Sequence, residues 1–166
     1  MGLCLEQDKF SKATVAHDPM NGVSLWQSLS QPAHVVPMID ALATTMRQHN
    51  YAEKDVFEMS LVMEEALTNA LKHGNKQDPN KDAWMRWSVD SRRVLVIVED
   101  EGDGFDPTRI PDPRRPENLE RPSGRGLFLM RCYTNWMRFN KRGNRVAFCK
   151  RRSDEPTDHR WDKTEG

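Results

Sequence analysis

Residues 51–75, YAEKDVFEMSLVMEEALTNALKHGN, leave few folds open to this chain. At about 100° per residue, Met59, Val62, Met63, Ala66 and Ala70 fall on one band. The spacing predicts a helix from about Glu53 to Lys72 that buries this band against other elements, with Gly74 as its stop. Glu65, Asn69 and His73 are spaced by four and stack along the flank of the band. A flank is where a helix can bury one side and present chemistry to a cleft with the other. Glu64, one residue off register, points elsewhere. Taken alone, such a polar line is most simply the wet face of an amphipathic helix. It gains meaning only if other segments converge on it.

Those segments come later in the chain. DAWMRWSVD alternates Met85, Trp87 and Val89 with Arg86, Ser88 and Asp90, the pattern of a half-buried strand. After a short turn at DSRR, VLVIVED is a β-branched run suited to a central strand. GRGLFLMRCY opens a short helix, and NWMRFN with RVAFCKR forms a hairpin around KRGN. Upstream, GVSLWQSLS has strand character, with Val23, Leu25 and Gln27 on one side, and a helix is expected from Val36 or Pro37 to His49. Residues 105–123 differ from all of these. Prolines 107, 111, 113, 116 and 122 alternate there with Arg109, Arg114, Arg115 and Arg121, in a loop long enough to be functional or disordered. Residues 1–20 are expected to be poorly ordered, 21–152 to form the domain, and 153–166 to be a mobile tail.

Composition excludes several classes of protein. Lys+Arg and Asp+Glu both number 25, so no net charge points to direct nucleic-acid binding or to an acidic membrane. No apolar run is long enough to span a bilayer, and the N-terminus lacks the basic-then-apolar pattern of a secretory signal. Cys4, Cys132 and Cys149 are odd in number and share no ligand spacing, which fits a reducing compartment. The expectation is a soluble, cytoplasmic protein.

Two glycine-bearing turns carry the rest of the chemistry. EDEGDGF follows directly on the central strand, and Gly102 and Gly104 let the backbone bend sharply and approach a ligand. A polar turn and a calcium loop are the other readings. An EF-hand frame from Glu99 fails, because its twelfth position is Ile110 where a bidentate acid is needed. Asp100, at the end of that strand, is placed to accept a hydrogen bond from an exocyclic amine. SGRGLFLM puts Gly124, Arg125 and Gly126 at a helix start, where free N–H groups suit phosphate. It is neither a Walker loop nor a full dinucleotide fingerprint.

In order, the chain carries E-x-x-x-N on a helix, a strand followed by D-x-G-x-G, a long loop, and G-x-G-L opening a helix. This resembles the Bergerat-fold ATP-binding superfamily of histidine kinases and gyrase-type ATPases, over about residues 22–151. EEALTNALKHGN, VEDEGDGFDP and GRGLFLM most resemble the bacterial anti-sigma factor serine/threonine kinases within it. The resemblance implies an α/β (α+β) two-layer sandwich. Its mixed, mostly antiparallel sheet of about five strands would be covered on one face by about three helices, with residues 105–123 as a long ATP lid.

The resemblance also implies roles. Glu65 takes the place of the general base, and Asn69 that of the Mg²⁺ ligand. Asp100 would accept from the adenine amino group, with Gly102 and Gly104 shaping the purine floor. Gly124, Arg125, Gly126 and Leu127 match the second glycine motif. Lys72 and His73 would touch the phosphates or cap the helix. The lid arginines would neutralise phosphate charge or pair with Asp112, Glu117 and Glu120. Where the family often has threonine in the last strand this chain has Asn144 and Arg145, so the resemblance implies adenine recognition through Asp100 and ordered water, or a weaker one.

The implied function is an ATP- and Mg²⁺-dependent protein serine/threonine kinase. It would phosphorylate an anti-anti-sigma antagonist and sequester a sigma factor, thereby regulating transcription, and the likeness also suggests a homodimer. The alternative is a nucleotide-binding regulatory module without efficient phosphoryl transfer. A detached histidine-kinase domain is disfavoured, because that group usually carries asparagine where this chain has Glu65.

Overall fold

The computed structural model describes residues 17–18, 23–24, 26–106 and 125–153. Two hairpins and a helical pair account for most of it. Strands β4 (Ala83–Val89) and β5 (Arg93–Asp100) form the first hairpin. Its turn is closed by Asp90, whose Oδ1 accepts the N–H groups of Arg92 and Arg93 at 2.8 and 2.9 Å. Strands β6 (Trp136–Phe139) and β7 (Arg145–Arg151) form the second, as expected around KRGN. Gly143, at φ +78°, occupies the left-handed position that this turn demands.

Three short strands, β1 (His17–Asp18), β2 (Val23–Ser24) and β3 (Gln27–Leu29), complete a sheet of order β1-β2-β4-β5-β7-β6, with β3 also paired to β4. The strand expected in GVSLWQSLS is thus an interrupted edge, β2 then β3, running along β4. Counted as one, it leaves five principal positions plus β1. Every described pairing is antiparallel. β6 does run parallel to β5, but β7 lies between them, so the parallel pair never become neighbours.

Helices α1 (Val35–Gln48), α2 (Glu53–Asn69) and α3 (Arg125–Tyr133) cover one face of the sheet. That face is supplied by alternate residues: Met85, Trp87 and Val89 on β4, Val94, Val96 and Val98 on β5, and Val146 and Phe148 on β7, all buried. Against them α2 sets Met59, Val62, Met63, Ala66 and Ala70, the band that the spacing predicts. α1 begins slightly earlier than expected, behind a 3₁₀ turn, Pro32–His34. Pro37 then falls in the first helical turn, where its missing N–H costs no intrahelical bond. Asn50, at φ 58°, lets the chain reverse into α2, and the Tyr51 N–H closes back on the Met46 carbonyl at 3.1 Å.

The end of α2 departs from expectation. Regular α geometry stops at Asn69, and Ala70–Gly74 form a π turn closed by the Asn75 N–H on the Ala70 carbonyl at 2.8 Å. Such widened turns recur at functional sites. Gly74 is where the polypeptide leaves the helix, as the sequence suggested.

Candidate nucleotide site

A cavity of about 610 Å³ opens where the end of α2, the ends of β5 and β7 and the start of α3 meet. That volume lies within the range of small-molecule sites. Apolar walls come from Ala66, Ala70, Val98, Met130, Phe139 and Val146. Glu65 and Asn69 on α2 and His73 in the π turn that follows all line it, and Glu64 is exposed elsewhere.

Two clusters define the polar chemistry. In the first, Asn69 Nδ2 donates to Glu65 Oε1 at 3.0 Å. The carboxamide is thereby oriented so that Oδ1 is its unbonded oxygen among the described residues. The Glu65 carboxylate lies against Gly126, so a side chain at that position would collide with it. The close approach of an acid to the start of α3 therefore requires glycine there. Leu127 lines the same cavity.

In the second cluster, Asp100 lies against Gly74, where again no Cβ would fit. Asp100 Oδ1 accepts the Gly102 N–H at 2.8 Å. Burial pushes the Asp100 carboxyl above its ordinary 3.8, partly opposed by that N–H bond; Glu99 pushes it further up, while Arg142 and Lys81 pull it down. Gly104, at φ +77°, packs on the Arg142 carbonyl, and Gly143 packs on the Phe105 carbonyl. These reciprocal contacts lock the β6–β7 turn to the glycine turn after β5. Gly74 is nine residues beyond Glu65, roughly 13 Å at the rise of a helix. The two clusters are therefore held apart by one rigid rod.

Of the residues singled out from sequence, Glu65, Asn69, His73, Asp100, Gly104, Gly126 and Leu127 line this cavity. Gly102 does not line it but holds Asp100 from behind. Lys72 and Arg125 are exposed and outside the lining. Gly124 and the arginines at 109, 114, 115 and 121 fall outside the described residues, as do residues 107–123 of the 105–123 lid and most of both terminal segments; the first two lid residues, Phe105 and Asp106, line the cavity.

Sequence reasoning missed the part that four residues play. Asn75, almost fully buried, accepts the Glu101 N–H on Oδ1 at 2.9 Å and so fixes the turn beyond Asp100. Phe105 lines the cavity edge-to-face with Phe139, their ring centroids 5.1 Å apart. Asn144 and Arg145, noted only as departures, both line it as well. The signal for Asn144 was its position at the start of a strand beside a ligand-facing turn.

A helix bearing an acid and an amide, a strand ending in a half-buried aspartate, and a glycine-opened helix around one cavity define a nucleotide-binding ATPase-like domain. Residues 29–150 match the histidine kinase-like ATPase domain family, and the chain belongs to that family. Within it the chain falls with the anti-sigma kinases. It is 30% identical to the serine-protein kinase RsbW of Bacillus subtilis (strain 168), over 78% of this chain and 86% of that protein. The anti-sigma F factor of Shouchella clausii is 34% identical, over 46% of this chain and 54% of its own length. Among the described residues no helix is long and apolar enough to cross a membrane.

Proposed function

We propose that this protein binds ATP in the cavity and transfers its γ-phosphoryl group to a serine of an antagonist protein, and that it sequesters a sigma factor when unphosphorylated antagonist is scarce. The observation that carries the reading is the pairing of two clusters on one helix. Glu65, bonded to Asn69, meets Gly126 at the start of α3 at one end, and Gly74, in the π turn that continues the helix, meets Asp100 at the other. That arrangement suits an extended nucleotide, with its base at Asp100 and its phosphates at Glu65.

In this reading Asp100 accepts from the adenine amine through its carboxylate. The first N–H groups of α3 face the phosphates, where helix ends favour anions. Glu65 retains an oxygen beyond the one bonded to Asn69, and that oxygen takes the serine proton. As the serine oxygen bonds to the γ-phosphorus, the bond from phosphorus to the bridging oxygen of ADP breaks. Asn69 Oδ1 would hold a Mg²⁺ ion, which supplies charge neutralisation at the phosphates and needs few protein ligands. Among the described residues no cluster of three acids, histidines or cysteines is present. The donor set therefore fits a cation held mainly by phosphate and water. Positioning and electrostatics supply most of such a barrier reduction.

The test is incubation with γ-labelled ATP, Mg²⁺ and candidate antagonist domains. Label is expected on an antagonist serine. Tight ATP binding with no label transferred would overturn the kinase reading and leave the domain as a nucleotide-responsive regulator.

A further inference from the structure

All three described helices lie on one face of the sheet, and the opposite face has an uneven chemistry of its own. Leu95 and Ile97 on β5 and Ala147 on β7, all partly exposed, form an aliphatic strip down its middle. Arg86 on β4 and Arg138 on β6, both exposed, flank the strip. In the strand register Arg86 lies opposite Ile97, Ile97 opposite Ala147, and Ala147 opposite Arg138. Each flanking guanidinium rests on a tryptophan. Arg86 lies 5.9 Å from the centroid of the Trp26 ring, and Arg138 lies 5.8 Å from that of Trp136. A guanidinium seated in this way loses less rotamer freedom when it meets an anion. Neither Arg86 nor Arg138 has a carboxylate within ion-pair distance among the described residues.

Charge and width narrow what this face can meet. From Arg125 to Arg152 the sequence holds no acid, so β6 and β7 bring only cations to it. Glu99 on β5 is already bonded to Arg145 at 2.7 Å. At the far end of the strip Arg93 and Arg151 stand directly opposite one another, with Asp90 3.6 Å from Arg93. A second copy stacked here about a two-fold axis would set arginines against arginines. Single-stranded nucleic acid stacks its bases on open rings, whereas this floor is aliphatic. The complement that remains is an apolar surface with acid on both flanks. Arg86 and Arg138 are three strand spacings apart, roughly 14 Å, and an α-helix with its side chains is about 10–12 Å across.

We propose that this open sheet face docks an amphipathic helix of a partner protein, with its apolar stripe on Leu95, Ile97 and Ala147 and its acidic flanks on Arg86 and Arg138. Along β5 the face runs from Arg93 to Glu99, about 20 Å, which about four turns of helix match. The docked helix adds a third layer and buries the side of the sheet that the chain's own helices leave open. Arginine and tryptophan, which border the strip, are the residue types that dominate binding energy at protein interfaces. Val98 and Val146, on the same two strands, point the other way and line the cavity. The partner and a cavity ligand therefore occupy opposite sides of one sheet, and the inference does not depend on the nucleotide reading.

Fluorescence anisotropy of the full chain tests it with labelled probes. One is a designed helical peptide of about four turns, with leucine along one face and glutamate on both flanks. The second is the same peptide with lysine flanks, and the third is a short oligothymidylate. The glutamate peptide should bind at least roughly tenfold more tightly than the lysine peptide, and should weaken as salt rises. Combining Arg86→Glu with Arg138→Glu should reverse that order and leave the melting temperature and ATP affinity unchanged. If that variant does not fold, Arg86→Gln with Arg138→Gln is read instead, and the preference should vanish. Equal binding of the two peptides, or binding of neither, overturns the proposal. Tighter binding of the oligothymidylate overturns it in favour of nucleic acid. A parental dimer that the same substitutions dissociate in sedimentation overturns it in favour of a second copy.

Discussion

The two ends of α2 are built from similar residues and treat them in opposite ways. At its start, Asp55 is completely buried, and Lys150 from the far end of β7 lies 3.3 Å from its Oδ1 and also binds Glu58. Asp55 Oδ2 accepts the Ser153 N–H at 3.0 Å. Nearby, Tyr51 donates to the Asp90 carbonyl at 2.9 Å beneath the Arg152 guanidinium. Burial first, and then the Asp90 charge, push the Tyr51 phenol up. The charged groups at this end answer one another. At the other end, Glu65, Asn69, Asp100 and Asn144 each keep an unbonded donor or acceptor facing a cavity. Closed polar clusters hold the chain together; open ones are where a ligand completes the bonding.

Substitutions at the two ends should therefore separate function from stability. The largest effect is expected from Glu65→Gln. The glutamine can still accept from Asn69 and still fits beside Gly126, but it cannot take a proton. Transfer of phosphate should fall by about 10²- to 10⁴-fold, with the melting temperature and ATP affinity little changed. Undiminished transfer by this variant would remove Glu65 from the mechanism. At the closed end, Lys150→Met should do the reverse. It strands the Asp55 and Glu58 carboxylates in a buried setting, which typically costs about 3–5 kcal/mol. Urea denaturation should show that loss, while nucleotide affinity, measured where the variant is folded, stays at the parental value. A drop in affinity as large as the drop in stability would mean that the two ends are coupled, and the contrast would fail.

How far the sequence revealed each end follows from the same distinction. The cavity residues on α2 were legible because helical periodicity places Glu65, Asn69 and His73 on one line whatever surrounds them. Asp100 and Gly104 were legible because glycines after a β-branched run mark a turn. The closed cluster was invisible: Asp55 and Lys150 are 95 positions apart in sequence, and only the register of β7 in the sheet brings them together. Asn144 was legible only as a departure from the resemblance, since its partner Asp100 lies on the neighbouring strand. The π turn at Ala70–Gly74 leaves no local signature either, because alanine, leucine and lysine favour an ordinary helix. Position in the sheet, rather than residue type, decided the Asp55–Lys150 and Asp100–Asn144 pairings.

The smallest effect expected is also the sharpest test of the contrast, because it should have opposite signs in binding and in stability. Asp100→Asn keeps an oxygen for the Gly102 N–H but places an amide where the base amine would donate. ATP binding should weaken by about 1.5–3 kcal/mol, the range for a hydrogen bond to a charged group. Stability should not fall with it. Burial raises the Asp100 carboxyl above 3.8 in the folded chain, so the native state holds its proton to higher pH than the unfolded state does. A group of that kind lowers stability as pH rises from the ordinary value through the raised one, and the carboxylate remains a cost above it. The asparagine variant has no such charge to bury. Its melting temperature should equal or exceed that of the parent at neutral pH, with the difference shrinking as the solution is acidified. A variant that melts several degrees lower at neutral pH would show that the carboxylate belongs to the closed kind of cluster, held for the fold and not for a ligand.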